Sequence, residues 1–166
     1  MSDCNSLIVI QIEIEARHPE ESNKKQAIGQ VIWNAPLQNG FFVERPSLNK
    51  QLETMIKAAQ EMNSFQVVVM ACHGLGGVGK TQLALHYLYS SGDRYELLRG
   101  WMNCEDPEEV ILQFFRLGQK MGIVSQTENY SKERAKHVKD WLEDQTRWLL
   151  VFDNVESEEY IKVCYI

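Results

Sequence analysis

Three patterns of apolar positions succeed one another along this chain. Near the start, Ile8, Ile10, Ile12 and Ile14 alternate with Val9, Gln11, Glu13 and Glu15, which predicts a strand with one wet face. From Ser47, just behind Pro46, the residues Leu48, Leu52, Met55, Ile56, Ala59 and Met62 recur at helical steps and predict a helix with one core-facing stripe. Beyond it come short continuous runs. Phe65–Cys72 and Trp148–Asp153 are apolar and rich in branched or aromatic residues, as strands buried on both faces of a parallel sheet must be. Arg99–Cys104 is a third candidate strand.

Helical signals fill the gaps between these runs. Thr81–Tyr89 carries an apolar stripe. Asp106-Pro107-Glu108-Glu109 combines an acid cap, a proline in the first helical position and acids in the first turn; the helix it opens holds Val110, Ile111, Phe114, Phe115 and Leu117 and ends near Gly118 or Gly122. Ser131 caps another, with Ala135, Val138, Trp141 and Leu142, and a short helix is expected over Glu156–Ile161. His18–Gln26 is polar loop, and Pro36–Gly40 is a linker. Strands alternating with helices imply an α/β fold with a parallel sheet. The chain divides into residues 1–40, an N-terminal extension of unknown role, and residues 41–166, the domain proper.

Candidate chemistry enters between the first buried run and the helix after it. Gly74-Leu75-Gly76-Gly77-Val78-Gly79-Lys80-Thr81 matches G-x-x-x-x-G-K-[ST] in full. Glycines let the backbone curl so that successive N–H groups converge on a phosphate chain. Lys80 puts a cation on the β- and γ-phosphates, Thr81 offers a hydroxyl to Mg²⁺, and the helix aims its positive end at the anion. Strand, glycine loop and helix stand in the confirming order. About seventy residues later Asp153 ends an apolar strand, a Walker B pattern that would place its carboxylate beside Thr81 for Mg²⁺. Alone, Asp153 would read as a turn acid; paired with the loop, it reads as a metal-holding group. Gln82 follows Thr81 inside the loop helix, where its side chain either approaches the α-phosphate or lies exposed.

Composition narrows the partners. The 166 residues are 44% apolar and 24% charged, enough for one soluble domain with a core, and the net charge of −6 argues against broad binding to nucleic acid or anionic membranes. Leu7–Ile14 is too short for a membrane span. Cys4, Cys72, Cys104 and Cys164 are scattered without a C-x-x-C pair, which disfavours zinc; Cys72 and Cys104 read as small core residues, and the whole suggests a cytoplasmic setting. Trp101, Trp141 and Trp148 read as core aromatics, His86 as packing or surface, and His73 as a strand-end residue near the loop.

At this point the chain resembles the NB-ARC family, the nucleotide switch of signalling ATPases with numerous domains, and among them members in which tetratricopeptide repeats follow. Four segments carry the resemblance: Gly74–Thr81 with Gln82-Leu83-Ala84, then Gly100–Glu105, Val138–Leu142 and Trp148–Val155. It spans roughly Phe41 to Val155. It implies a three-layer P-loop NTPase fold, ADP or ATP with Mg²⁺ as ligand, and self-association or signalling proteins as partners of a longer protein. Phe42-Val43-Glu44-Arg45-Pro46 is similar to the segment that lies against adenine and ribose, with Arg45 as its polar group, although Glu44 and Pro46 replace the usual glycine and acid.

Asn154 stands where the family often has a second acid. An asparagine orients a water but takes no proton from it, so slow hydrolysis or none is expected from Lys80, Asp153 and Asn154. The chain stops about a dozen residues after Asp153, where the family continues, and Val163–Ile166 has no family character; an incomplete or truncated domain with an open sheet edge is expected. Two other readings stand beside the switch. A P-loop kinase or steadily working ATPase would need an arginine-bearing lid and a substrate pocket, neither visible. A remnant that folds poorly would bind nothing. No N-K-x-D guanine motif is present, and adenine itself rests on the resemblance.

Overall fold

The computed structural model describes residues 7–13, 31–62, 68–72 and 79–155, with backbone alone for 7–13, 59–62 and 68–72. The expected loop His18–Gln26, the start of the Phe65–Cys72 run, His73–Val78 and the expected helix over Glu156–Ile161 lie outside the described residues. The elements are β1 (Leu7–Glu13), β2 (Val31–Trp33), α1 (Pro46–Met62), β3 (Val68–Cys72), α2 (Lys80–Ser90), β4 (Leu98–Asn103), α3 (Pro107–Met121), α4 (Lys132–Glu143) and β5 (Trp148–Val155).

The strands form one sheet in the order β2-β4-β5-β1-β3. β2, β4 and β5 run parallel, in register from Leu98↔Trp148 to Asn103↔Asp153 between the last two. β1 runs antiparallel to both its neighbours, β5 and β3, so β3 points the same way as β5. The sheet is therefore parallel except for the N-terminal strand set into it. Two strands from the first forty residues share a sheet with the strands of the candidate site.

β5 explains why there are helices on both faces. Trp148, Leu150 and Phe152 pack with α3 and α4, whereas Leu149 and Val151 pack with α1 and α2, and all five are fully buried. A strand covered on both sides has no polar face, which is why its sequence runs apolar without alternation. The result is the expected three-layer α/β/α arrangement. Trp101 lies in the α1/α2 face and Trp148 in the other, while Trp141 is partly buried against the α3/α4 cluster. The Trp148 indole donates to the carbonyls of Leu142 and Gln145 and so closes the end of α4.

Local signals hold at the helix ends. Asp106 accepts from the Glu108 backbone N–H at 2.9 Å with Pro107 opening α3, and Ser131 accepts from the Arg134 N–H at 3.2 Å before α4. α3 ends at Gly122, whose φ of 74° suits glycine. Gly118 lies inside the helix, where a Cβ would meet Val138 Cγ2 at 2.3 Å; its role is close approach of α3 and α4. Among the side chains described, one residue departs from the expected stripe of α1. Leu52 and Ile56 are buried, but Met55 is 57% exposed, because the helix meets α2 and β3 over a strip narrower than its apolar face. Cys104 is buried in the α3/α4 core, as a small core residue.

Candidate nucleotide-binding site

Gly79 is the N-cap of α2 with φ 92° and ψ 19°, a left-handed conformation that strains any residue with a Cβ. It turns the chain so that Lys80 and Thr81 form the first turn of the helix, with the Leu83 N–H bonded to the Gly79 carbonyl at 2.9 Å. Of the glycine loop, Gly74, Leu75, Gly76, Gly77 and Val78 lie outside the described residues, leaving Gly79, Lys80 and Thr81 to locate it.

β5 brings Asp153 to this turn. The Thr81 hydroxyl stands 3.5 Å from each carboxylate oxygen, longer than an ordinary O–H···O bond and equidistant from both. Asp153 is only 8% exposed, and burial pushes its carboxyl above the usual aspartate range; the Asn154 backbone N–H, the Thr81 hydroxyl and the Lys80 charge pull back against that, and Glu105 adds to it. Such a carboxylate lacks the water it would have at the surface and stands to gain most from a cation beside it.

Asn154 faces another way. Its φ is 61°, a left-handed value that asparagine tolerates better than branched residues do. Its backbone N–H donates to Asp153 Oδ1 at 3.0 Å, and its side-chain amide donates to Glu105 Oε1 at 3.1 Å and Asn103 Oδ1 at 3.3 Å. Asn103 is itself held by Gln113, which accepts from its N–H and donates to its carbonyl at 3.0 and 2.8 Å. The amide of Asn154 is thus engaged with the end of β4.

On the other side of Lys80 lies a cavity of about 480 Å³, within the usual size range of ligand pockets. Phe41, Phe42, Val43 and Leu48 give it apolar walls, and Arg45, Gln82, Gly79 and Lys80 its polar ones. Arg45 and Gln82, expected at the site, therefore share this cavity with the lysine. The upstream wall is pinned to α2. The Phe42 ring stands 5.1 Å from the His86 ring, His86 Nε2 lies 3.7 Å from Glu44 Oε1, and the Tyr89 hydroxyl donates to the Pro36 carbonyl at 2.9 Å. Asn49 completes the tie by donating to Glu44 Oε1 at 2.8 Å.

His86, Tyr89 and Gln113 were not expected at the site, and Glu44 was expected there only as part of the Phe42–Pro46 segment. A signal existed for two of them: Gln82, His86 and Tyr89 fall at helical steps of four and three and so share a face of α2. Two buried acceptor-capable atoms on that face, Gln82 Oε1 and His86 Nδ1, have no hydrogen-bond partner among the described residues. A half-satisfied polar face beside an open cavity is the kind of place a ligand or ordered water completes.

A helix opening on a glycine N-cap, with its Lys80 and Thr81 beside an acid on a central strand of a helix-covered sheet, defines a P-loop NTPase fold. A family model described as NB-ARC domain matches residues 48–166, and the chain belongs to the NB-ARC family. As a member it is a nucleotide-binding signalling module. No curated protein and no solved structure matches the chain. Among the described residues no helix is long and apolar enough to cross a membrane, and no group of three or more His, Cys, Asp or Glu side chains could hold a metal by itself.

Proposed function

We propose that this chain binds ADP or ATP with Mg²⁺ as the nucleotide part of a cytoplasmic signalling switch, and that it hydrolyses ATP slowly or not at all. The observation that carries this reading is an apolar cavity that reaches Gly79 and Lys80, the residues next to the Thr81–Asp153 pair. Phe41, Phe42, Val43 and Leu48 suit a purine, Arg45 and Gln82 the ribose and first phosphate, and Lys80 with the glycine loop the distal phosphates.

The donor set fits Mg²⁺. The ion takes hard oxygen ligands and fills most of its shell with water and phosphate, so one hydroxyl and one carboxylate suffice. Thr81 Oγ1 and the Asp153 carboxylate are the groups that would hold it, and its charge would neutralise the phosphates. In the absence of a cation, the long contact between these two groups and the burial of Asp153 leave the acid under-compensated.

Slow turnover follows from Asn154. Its amide carries no basic lone pair for the attacking water, and it is engaged by Glu105 and Asn103. Lys80 and Asp153 remain to bind and polarise the phosphates, which retains the nucleotide without committing it to cleavage. A retained nucleotide acts as a switch when it favours one conformation over another through differential contacts. In a longer protein such a module would act by self-association or by recruiting protein partners, with no role for nucleic acid or membrane.

Calorimetric titration of the chain with ADP and with ATP, each in Mg²⁺, alongside Lys80→Ala, tests the reading. The expected result is binding by the parent and loss of at least tenfold in the variant; tighter ADP than ATP would favour the switch. Absence of binding by the parent would overturn it, and rapid phosphate transfer to an acceptor would replace the switch by a kinase.

A further inference from the structure

The strand that carries the phosphate loop touches the rest of the sheet in one place. In the order β2-β4-β5-β1-β3, β3 lies at the edge and its ladder partner is β1. Among the described residues it forms no ladder with β5 or β4, although the acid expected to work with its loop sits on β5. The N-terminal strand therefore separates the two halves of the site and is also their backbone connection.

The register makes this local to the site. Ile8 pairs with Cys72, the last residue of β3 before the loop. On its other side, the pairing with β5 passes from Val9↔Phe152 to Leu7↔Val155, with a shift between them. One residue of β1, Ile8, thus faces two of β5, Asp153 and Asn154: the geometry of a bulge, with Asn154 at a φ of 61°. Bulges bend a strand and re-aim its side chains. Ile8 consequently stands between the root of the phosphate loop and the acid, with the loop root two strand spacings, about 9.5 Å, from β5.

We infer that residues 7–13 are a positioning strand for the nucleotide site: pairing of β1 on both edges fixes Cys72, the root of the phosphate loop, relative to β5 and Asp153, and nucleotide affinity depends on it. The inference rests on the nucleotide reading proposed above and gives a role to a segment outside the span matched by the family model, which begins at residue 48. If β1 leaves, β3 loses its ladder partner and Cys72, the root of the loop, loses its register to β5, while α2 still holds Thr81 beside Asp153.

Two variants of the full chain test this. Partners in an antiparallel pair have Cα atoms about 4.5–5.5 Å apart, inside the span of a disulfide. Ile8→Cys is therefore expected to cross-link to the native Cys72 on mild oxidation, identified by peptide mass mapping, with affinity for MgADP kept within about threefold of the parent. Ile10 faces Met70 on one edge and Val151 on the other, so Ile10→Pro removes a ladder donor and its ring disturbs the pairing. The expected result is at least tenfold weaker MgADP binding by calorimetry and fast amide exchange in Val68–Cys72. Amides of β4, and those of β5 that bond to β4, stay protected, and Ile10→Val behaves as the parent. The proposal is overturned if Ile10→Pro binds as tightly as the parent, if β3 amides exchange no faster in it, or if no cross-link to Cys72 forms. Cross-linking and exchange need no nucleotide, so a parent chain that fails to bind ADP would sink the nucleotide reading while these two still decide the pairing.

Discussion

Asp153 is held where an ionised carboxylate is least comfortable. Burial is the main cause of its raised pKa, so folding favours the neutral acid. Stability from that preference is fully present below the unfolded value, near 3.9, and is lost as pH rises through the folded one. At pH 7, with no cation, the carboxylate is a net cost that Asp153→Asn removes while keeping an acceptor for the Asn154 N–H. The expected outcome is a melting temperature for the nucleotide-free variant equal to or above that of the parent at pH 7, the gap closing toward pH 4. Its MgADP affinity should fall at least about tenfold, or 1.4 kcal/mol. A melting temperature several degrees lower at pH 7 would make Asp153 a structural anchor instead. Asn154 sits beside it under a different constraint. Both Asn154→Gly and Asn154→Val lose the exposed amide bonds to Glu105 and Asn103, but with φ at 61° only the valine adds backbone strain, so Asn154→Val should be about 1–2 kcal/mol less stable than Asn154→Gly in denaturant unfolding.

At the scale of elements, α3 and α4 meet through a glycine. Gly118→Ala gains helix propensity of about 0.8–1 kcal/mol but drives a methyl into Val138 Cγ2, and overpacking of about 1–3 kcal/mol outweighs it. The single variant should unfold at lower denaturant than the parent. Adding Val138→Ala should then cost less than it does in the parent, a coupling that a double-mutant cycle measures. This close pair also separates what the sequence disclosed from what it did not. The ends of α3 and α4 were legible because Asp106, Pro107, Gly122 and Ser131 act on their own neighbours. β4 and β5 were legible because burial on both faces removes alternation. Thr81 and Asp153 could be paired in advance because glycine-loop spacing and a strand-end acid are local patterns. β1 was legible as a strand, but its antiparallel place between β5 and β3 depends on partners far along the chain, which a period of two does not name. β2, three residues long, is too short for any periodic signal. Met55 fitted the stripe and still lies outside, since how much of a helix face is covered is decided by its neighbours.

Across the whole molecule, burial is unevenly shared between the two faces of the sheet. On the α3/α4 face Phe114, Leu117, Val138, Leu142 and Trp148 pack into one dense cluster with β4 and β5. The α1/α2 face has a core of its own around Leu85, Leu88, Tyr95 and Trp101, but the segment that walls the cavity adds little to it: Leu37, Phe41 and Val43 are 91%, 92% and 79% exposed. Exposed apolar side chains on a stretch held by a few contacts to α2 mark a region of low local stability, where amides exchange at small opening free energy. A purine in the cavity would cover Phe41 and Val43 and join this wall to Lys80 and Gln82, so ligand binding should act there first. Native-state hydrogen exchange should accordingly find β4 and β5 slowest in the free chain and residues 37–45 among the fastest of the described segments. Saturating MgADP should slow exchange in 37–45 and in the first turn of α2 by at least about tenfold, while α3 and α4 change little. Uniform slowing across all elements would mean that the nucleotide stabilises the domain only globally, by mass action on the unfolded state. Slowing confined to the start of α2 would place the phosphates as proposed and remove the base from the Phe41–Leu48 cavity.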